Sequence, residues 1–171
     1  MDAETLRATQ APLKDKYRGD PASAFITLKA EGSIDDAKIA CKVETGRALV
    51  TAGLHPATGG SGMEACSGDM LLEALVACAG VTLKAVATAI GVEIKSAHVR
   101  AEGDLDFRGT LAVDREAPVG FRDIRLAFDV RTDAPKEKLD QLLKLTERYC
   151  VVLQTLRSAP PTTATISSAT R

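Results

Sequence analysis

The chain carries four cysteines, and two of them, Cys78 and Cys150, sit far apart in distinctive segments where a pair of thiols could do redox chemistry. Cys78 lies within Asp69-MLLEALVACAGVTLKAVATAI and Cys150 within Leu145-TERYCVVLQTL, both apolar and helical in pattern. A buried helical cysteine is ordinarily a small hydrophobe. A thiol acts as a nucleophile only as its thiolate, so a reactive one needs a neighbour that lowers its pKa. A second thiol can then capture the sulfenic acid before further oxidation destroys it. Glu147, Arg148 and Tyr149 bring charge to the surroundings of Cys150. The other two cysteines read differently. Cys41, in the strand-like Lys38-IACKVE, reads as core, and Cys66, just before a helix start, reads as incidental or as an accessory thiol. His55 and His98 stand alone, with no CxxC or Cys/His spacing for zinc, so neither a metal nor another cofactor is expected.

The elements around these residues alternate between β and α patterns. The first twenty or so residues lack sustained periodicity and end at Gly19-DP, so residues 1–22 read as a polar extension and 23–171 as a single domain. Phe25-ITLKA, Lys38-IACKVE and Arg47-ALVTAG predict an N-terminal antiparallel layer. His55-PATGGSGMEACSG reads as a loop, with Ser67 as helix cap. The helix from Asp69 to Ile90 is apolar nearly all round, which predicts burial on most sides, and Gly91 ends it. Strand-like alternation returns in Val92-EIKSAHVRAEGDLDFRG and is clearest in Phe121-RDIRLAFDVRT. Asp133 and Pro135 mark the start of a helix that runs to Tyr149 and ends or bends at Cys150. Pro160-PTTATISS predicts a short final strand.

Composition narrows the function classes. Hydrophobic residues at 45% and charged residues at 26% are globular values, and a net charge of -1 gives no footprint for nucleic acid. Met1-DAETLRATQAPLKDKYRGDP has no apolar core of a signal peptide, and Glu73 and Lys84 argue against a membrane span at the long helix. The expectation is a cytoplasmic protein without membrane or nucleic-acid partners. In a reducing compartment, redox chemistry or inert packing explains its cysteines better than a static disulfide framework.

The segments DMLLEALVACAGVTLKAV and TERYCVV resemble the two signature helices of the OsmC/Ohr family of thiol peroxidases, in particular its OsmC-like branch. Thr45-GRALVTAG, Thr58-GGSG and Phe121-RDIRLAFDVRT agree, so the resemblance runs from about residue 23 to 168. It implies an α+β fold in which two antiparallel β layers surround a long cysteine-bearing helix, and an intertwined homodimer. It also implies that Cys78 is the peroxidatic cysteine and Cys150 the resolving one. Asp69 stands where relatives carry a glutamate in the first helical turn. Arg47 is the nearest candidate for the arginine of the organic-hydroperoxide-resistance branch, although the GGR-type turn that carries it there is missing. The implied reaction reduces an organic hydroperoxide or hydrogen peroxide, in oxidative-stress defence, with a dithiol such as a protein-bound dihydrolipoyl group as reductant. Two other readings keep the fold: a non-enzymatic ligand-binding or stress-associated protein, and a thiol redox sensor.

Overall fold

The computed structural model describes residues 2–5, 7–8, 10–11, 49–112 and 114–168, together with the backbone of 31–34 and 40–44. Strands β1 (Glu31–Ile34), β2 (Ala40–Glu44) and β3 (Leu49–Gly53) form an antiparallel meander in which Cys41 pairs with Ala52 and Val43 with Val50. The expected strand at Phe25–Ala30, the Thr45-Gly46 turn and the boundary between residues 22 and 23 lie outside the described residues. The sheet is not wholly antiparallel. A two-residue strand, β4 (Ala65–Cys66), pairs parallel to the end of β3 within the segment expected to be only loop.

That pairing sets the start of the long helix α1 (Ser67–Ile90). Cys66, held extended by β4, is the N-cap and offers no side-chain bond, so Ser67 is the first helical residue and not the cap. At the other end Gly91 adopts φ 72°, which glycine tolerates without steric cost. There Val92 N–H donates to Ala87 O at 2.8 Å and Gly91 N–H to Thr88 O at 3.4 Å, the pair of bonds of a Schellman motif.

Strand β5 (Ser96–Asp104) pairs antiparallel with β6 (Asp123–Arg131) along its whole length, from Ser96↔Arg131 to Asp104↔Asp123. Ile124, Leu126, Phe128 and Val130 turn inward, as their alternation predicts, and the outer face carries ion pairs such as Arg100–Asp129 at 2.7 Å. The alternation read through residue 109 ends earlier: Phe107–Thr110 is a short helix, α2, because the Asp106 carboxylate accepts the Arg108 N–H and caps it. The Arg108 guanidinium also grips Asp106 and holds its carboxyl down at about 2.

Helix α3 (Lys136–Tyr149) begins at an N-cap of Pro135, while Asp133, expected as the cap, pairs with Lys95 instead. After Cys150 the chain resumes as α4 (Val151–Arg157). The tail from Ala159 to Ser168 is exposed and forms no strand, since no strand among the described residues is placed to pair with it.

The core consists of two adjoining clusters along α1. Leu83, Val86, Ala87, Val92 and Leu142 form one, and Leu75, Ala79, Cys150 and Leu153 the other. Fully burying a leucine such as Leu75 or Leu142 contributes roughly 1.5–3 kcal/mol. Burial of α1 is one-sided within the chain. It packs on β5, α3 and α4 and meets the N-terminal sheet mainly at β4. Leu71, Ala74, Ala77 and Val81 face out, Val81 at 73% exposure, so the burial on most sides predicted for this helix is not met by one chain.

Candidate active site

The two sequence-selected cysteines meet. Cys78, half-buried in the middle of α1, packs against the cluster that contains the fully buried Cys150, and each thiol shifts the proton affinity of the other. Cys150 is brought there by a break in the helix. It has φ -72° and ψ 106°, so α3 ends and α4 starts on the same residue. Hydrogen bonds continue on both sides, with Cys150 N–H donating to Thr146 O at 3.0 Å and Gln154 N–H to Cys150 O at 2.9 Å.

The first amides of a helix have no intrahelical acceptor. At the start of α4 such amides favour charge on the sulfurs: those of Val152 and Val151 lower the pKa of Cys78, and those of Leu153 and Val152 lower that of Cys150. The Gln154 side-chain amide donates to Glu147 O at 2.7 Å, and Arg157 pairs with the Glu147 carboxylate at 2.7 Å, so the break is clasped from outside.

These surroundings split the two thiols. Burial pushes Cys78 up, but the Val152 amide, the Cys150 thiol, the Val151 amide and the Thr82 hydroxyl together outweigh it, and its pKa falls below the ordinary 9.0. For Cys150 burial dominates, and the neighbouring Cys78 adds to it, so its pKa rises above 9.0 despite the Leu153 and Val152 amides. Cys78 therefore ionises first, and Cys150 keeps its proton to donate. A nucleophilic thiolate next to a protonated thiol can attack an oxidant and then close a disulfide.

The remaining predicted residues are not brought to this pair. Asp69 stands exposed in the first turn of α1. Nine residues before Cys78, it lies about 13.5 Å away along the axis and on the opposite side of the helix. It makes no hydrogen bond or ion pair among the described residues, and its place at the helix N-terminus is electrostatically favourable. Arg47 lies outside the described residues. Cys66 caps α1, about 18 Å up the helix from Cys78. His55 accepts the Ala57 N–H at 3.0 Å and stacks on Phe107, and His98 is exposed on β5. Two features were missed from sequence: the amides of Val151 and Val152, and Thr82. The visible signals were the break anticipated at Cys150 and a hydroxyl one helical turn after Cys78.

The sequence model of the OsmC-like protein family matches residues 59–165, which include both cysteines. No curated protein matches the chain in sequence. Among solved structures, an OsmC-like protein from Mycoplasma pneumoniae aligns with TM-score 0.65 at 14% identity, covering 78% of this chain and 89% of its own. An organic hydroperoxide resistance protein from Elizabethkingia anophelis aligns with TM-score 0.62 at 14% identity, covering 79% of this chain and 91% of its own. Another organic hydroperoxide resistance protein, OsmC from Legionella pneumophila, gives TM-score 0.61 at 12% identity, covering 78% and 93%. At such identities the likeness is one of fold, and it agrees with the α+β arrangement of sheets and helices described above. Because the family match takes in more than half of the chain, the protein belongs to the OsmC-like family, the group of OsmC and Ohr proteins.

Proposed function

We propose that the protein is a thiol-dependent peroxidase that reduces organic hydroperoxides, and hydrogen peroxide as a smaller substrate, in oxidative-stress defence. The observation that carries this reading is that the helix break brings the fully buried Cys150 into one cluster with the half-buried Cys78, where their surroundings lower the pKa of Cys78 and raise that of Cys150.

The Cys78 thiolate attacks the distal peroxide oxygen, the O–O bond breaks, and the alkoxide leaves as an alcohol with a proton taken up, giving Cys78 sulfenic acid. Cys150 then attacks that sulfur, water leaves, and a Cys78–Cys150 disulfide forms. A dithiol such as a dihydrolipoyl group restores both thiols by exchange and is itself oxidised to its disulfide. The exposed apolar side chains beside Cys78, Val81 and Val151, suit a lipid-like hydroperoxide. A reducing compartment, the cytoplasm, keeps such a pair ready to react.

The active form in this account is an intertwined homodimer in which a second copy covers the open face of α1 and completes the two β layers around it. The exposed Leu71 and Val81 support this, as does the unpacked tail with Ile166 at 99% exposure. The test is cumene hydroperoxide consumption with dithiothreitol. Wild type is expected to turn over, Cys78→Ser to be inactive, and Cys150→Ser to lose the intramolecular disulfide. A wild-type rate no higher than that of Cys78→Ser overturns the reading and favours a ligand-binding role.

A further inference from the structure

Thr82 stands one turn beyond Cys78 on α1, where side chains four residues apart are neighbours. Its hydroxyl donates to the Cys78 carbonyl oxygen at 2.7 Å. That bond alone is ordinary for threonine in a helix: Thr88 makes the same one to Lys84 O at 2.9 Å. Thr82 differs in the residue it meets: Cys78 carries a sulfur on the same helix face, and the Thr82 hydroxyl helps to lower the pKa of that thiol. A hydroxyl has one proton and cannot serve carbonyl and sulfur at once. A neutral thiol is a weak acceptor, so the carbonyl takes the proton in the resting state. A thiolate is a full charge in a half-buried site and competes for it.

We propose that Thr82 is a positioning residue for Cys78, its hydroxyl turning from the Cys78 carbonyl to the sulfur as the thiolate forms. The thiolate then has Thr82 Oγ1 as a donor in addition to the Val152 and Val151 amides that already favour its charge. The released carbonyl keeps its ordinary helical bond, so the turn costs little. No charged side chain among the described residues does this work. Glu73, Lys84, Arg148 and Arg157 are exposed, Glu147 is paired with Arg157, and His98 and Arg100 are exposed on β5, leaving Cys150 as the titratable partner that meets Cys78.

This deepens the peroxidase reading and rests on it for its role in catalysis, but its test reads the sulfur directly. Iodoacetamide alkylation of Cys78 is followed site by site by mass spectrometry across pH on the reduced protein. Thr82→Val is expected to raise the midpoint by about one pH unit, the effect of one hydrogen bond to a charged group. Thr82→Ser restores it, and Thr88→Val, which removes the matching bond without a sulfur nearby, leaves it unchanged. An unshifted midpoint in Thr82→Val overturns the proposal, and so does an equal shift in Thr82→Ser, which keeps the hydroxyl. Should circular dichroism find Thr82→Val unfolded, Thr82→Ala carries the same prediction. Peroxide consumption measured in parallel keeps the two readings apart: absence of turnover in wild type removes the peroxidase, while the midpoints still decide Thr82.

Discussion

Cys78 and Cys150 share one cluster and differ in the balance between burial and donated hydrogen bonds. That difference has a consequence for stability as well as reactivity. In the folded reduced protein Cys78 loses its proton below 9.0, so between that lower pKa and 9.0 the unfolded chain binds more protons and stability rises with pH. Cys150 acts in the opposite sense: from 9.0 up to its raised pKa the folded chain holds the extra proton, and stability falls. Urea unfolding of the reduced protein should therefore pass through a maximum near pH 9.0, and Cys78→Ala should lose the rising limb while keeping the falling one. A flat profile in both proteins would contradict the assignment. At this scale the sequence singled out, by two apolar helical segments, the two sulfurs that the structure brings into one cluster. It was silent on what acidifies Cys78, because backbone amides become donors only where a helix starts afresh. Asp69 illustrates the opposite limit, since its spacing from Cys78 places it on the far side of the helix.

The element that matters most is the α3–α4 break, which delivers both Cys150 and the free amides. Its clasp is made of the Gln154 amide on Glu147 O and the Arg157–Glu147 pair. The ion pair is exposed enough that it contributes only about 0–1 kcal/mol. The Gln154 bond satisfies a carbonyl at the end of α3, and Gln154→Ala should cost roughly 0.5–1.5 kcal/mol in urea unfolding. It should also raise the alkylation midpoint of Cys78 by loosening the Val151 and Val152 amides. Unchanged stability together with an unchanged midpoint would show the clasp to be idle. Strand β6, helix α3 and the bend at Cys150 were legible because alternation, leucine spacing and the Pro135 start all agree locally. Strand β4 and the cap at Cys66 were not, since a two-residue parallel strand is dictated by the β3 edge it meets and not by its own residues.

Across the whole molecule, one chain leaves part of its own pattern unsatisfied. The long helix has apolar residues nearly all round, yet its Leu71–Val81 face is open, and the β-branched tail around Ile166 pairs with no strand among the described residues. These were the places where sequence reading of the layers outran a single copy, because both patterns ask for a surface that a second chain would supply. Val81→Glu puts a charge on that face and is expected to convert a dimer to monomer in sedimentation velocity while the reduced monomer keeps its helical signal. A dimer of unchanged mass would place the interface elsewhere. Whether Cys78 and Cys150 form one redox unit is decided by peptide mapping after one equivalent of cumene hydroperoxide. A single Cys78–Cys150 cross-link is expected, with Cys66 and Cys41 left as thiols. Unmodified Cys78, or oxidation distributed without a Cys78–Cys150 bond, would contradict it.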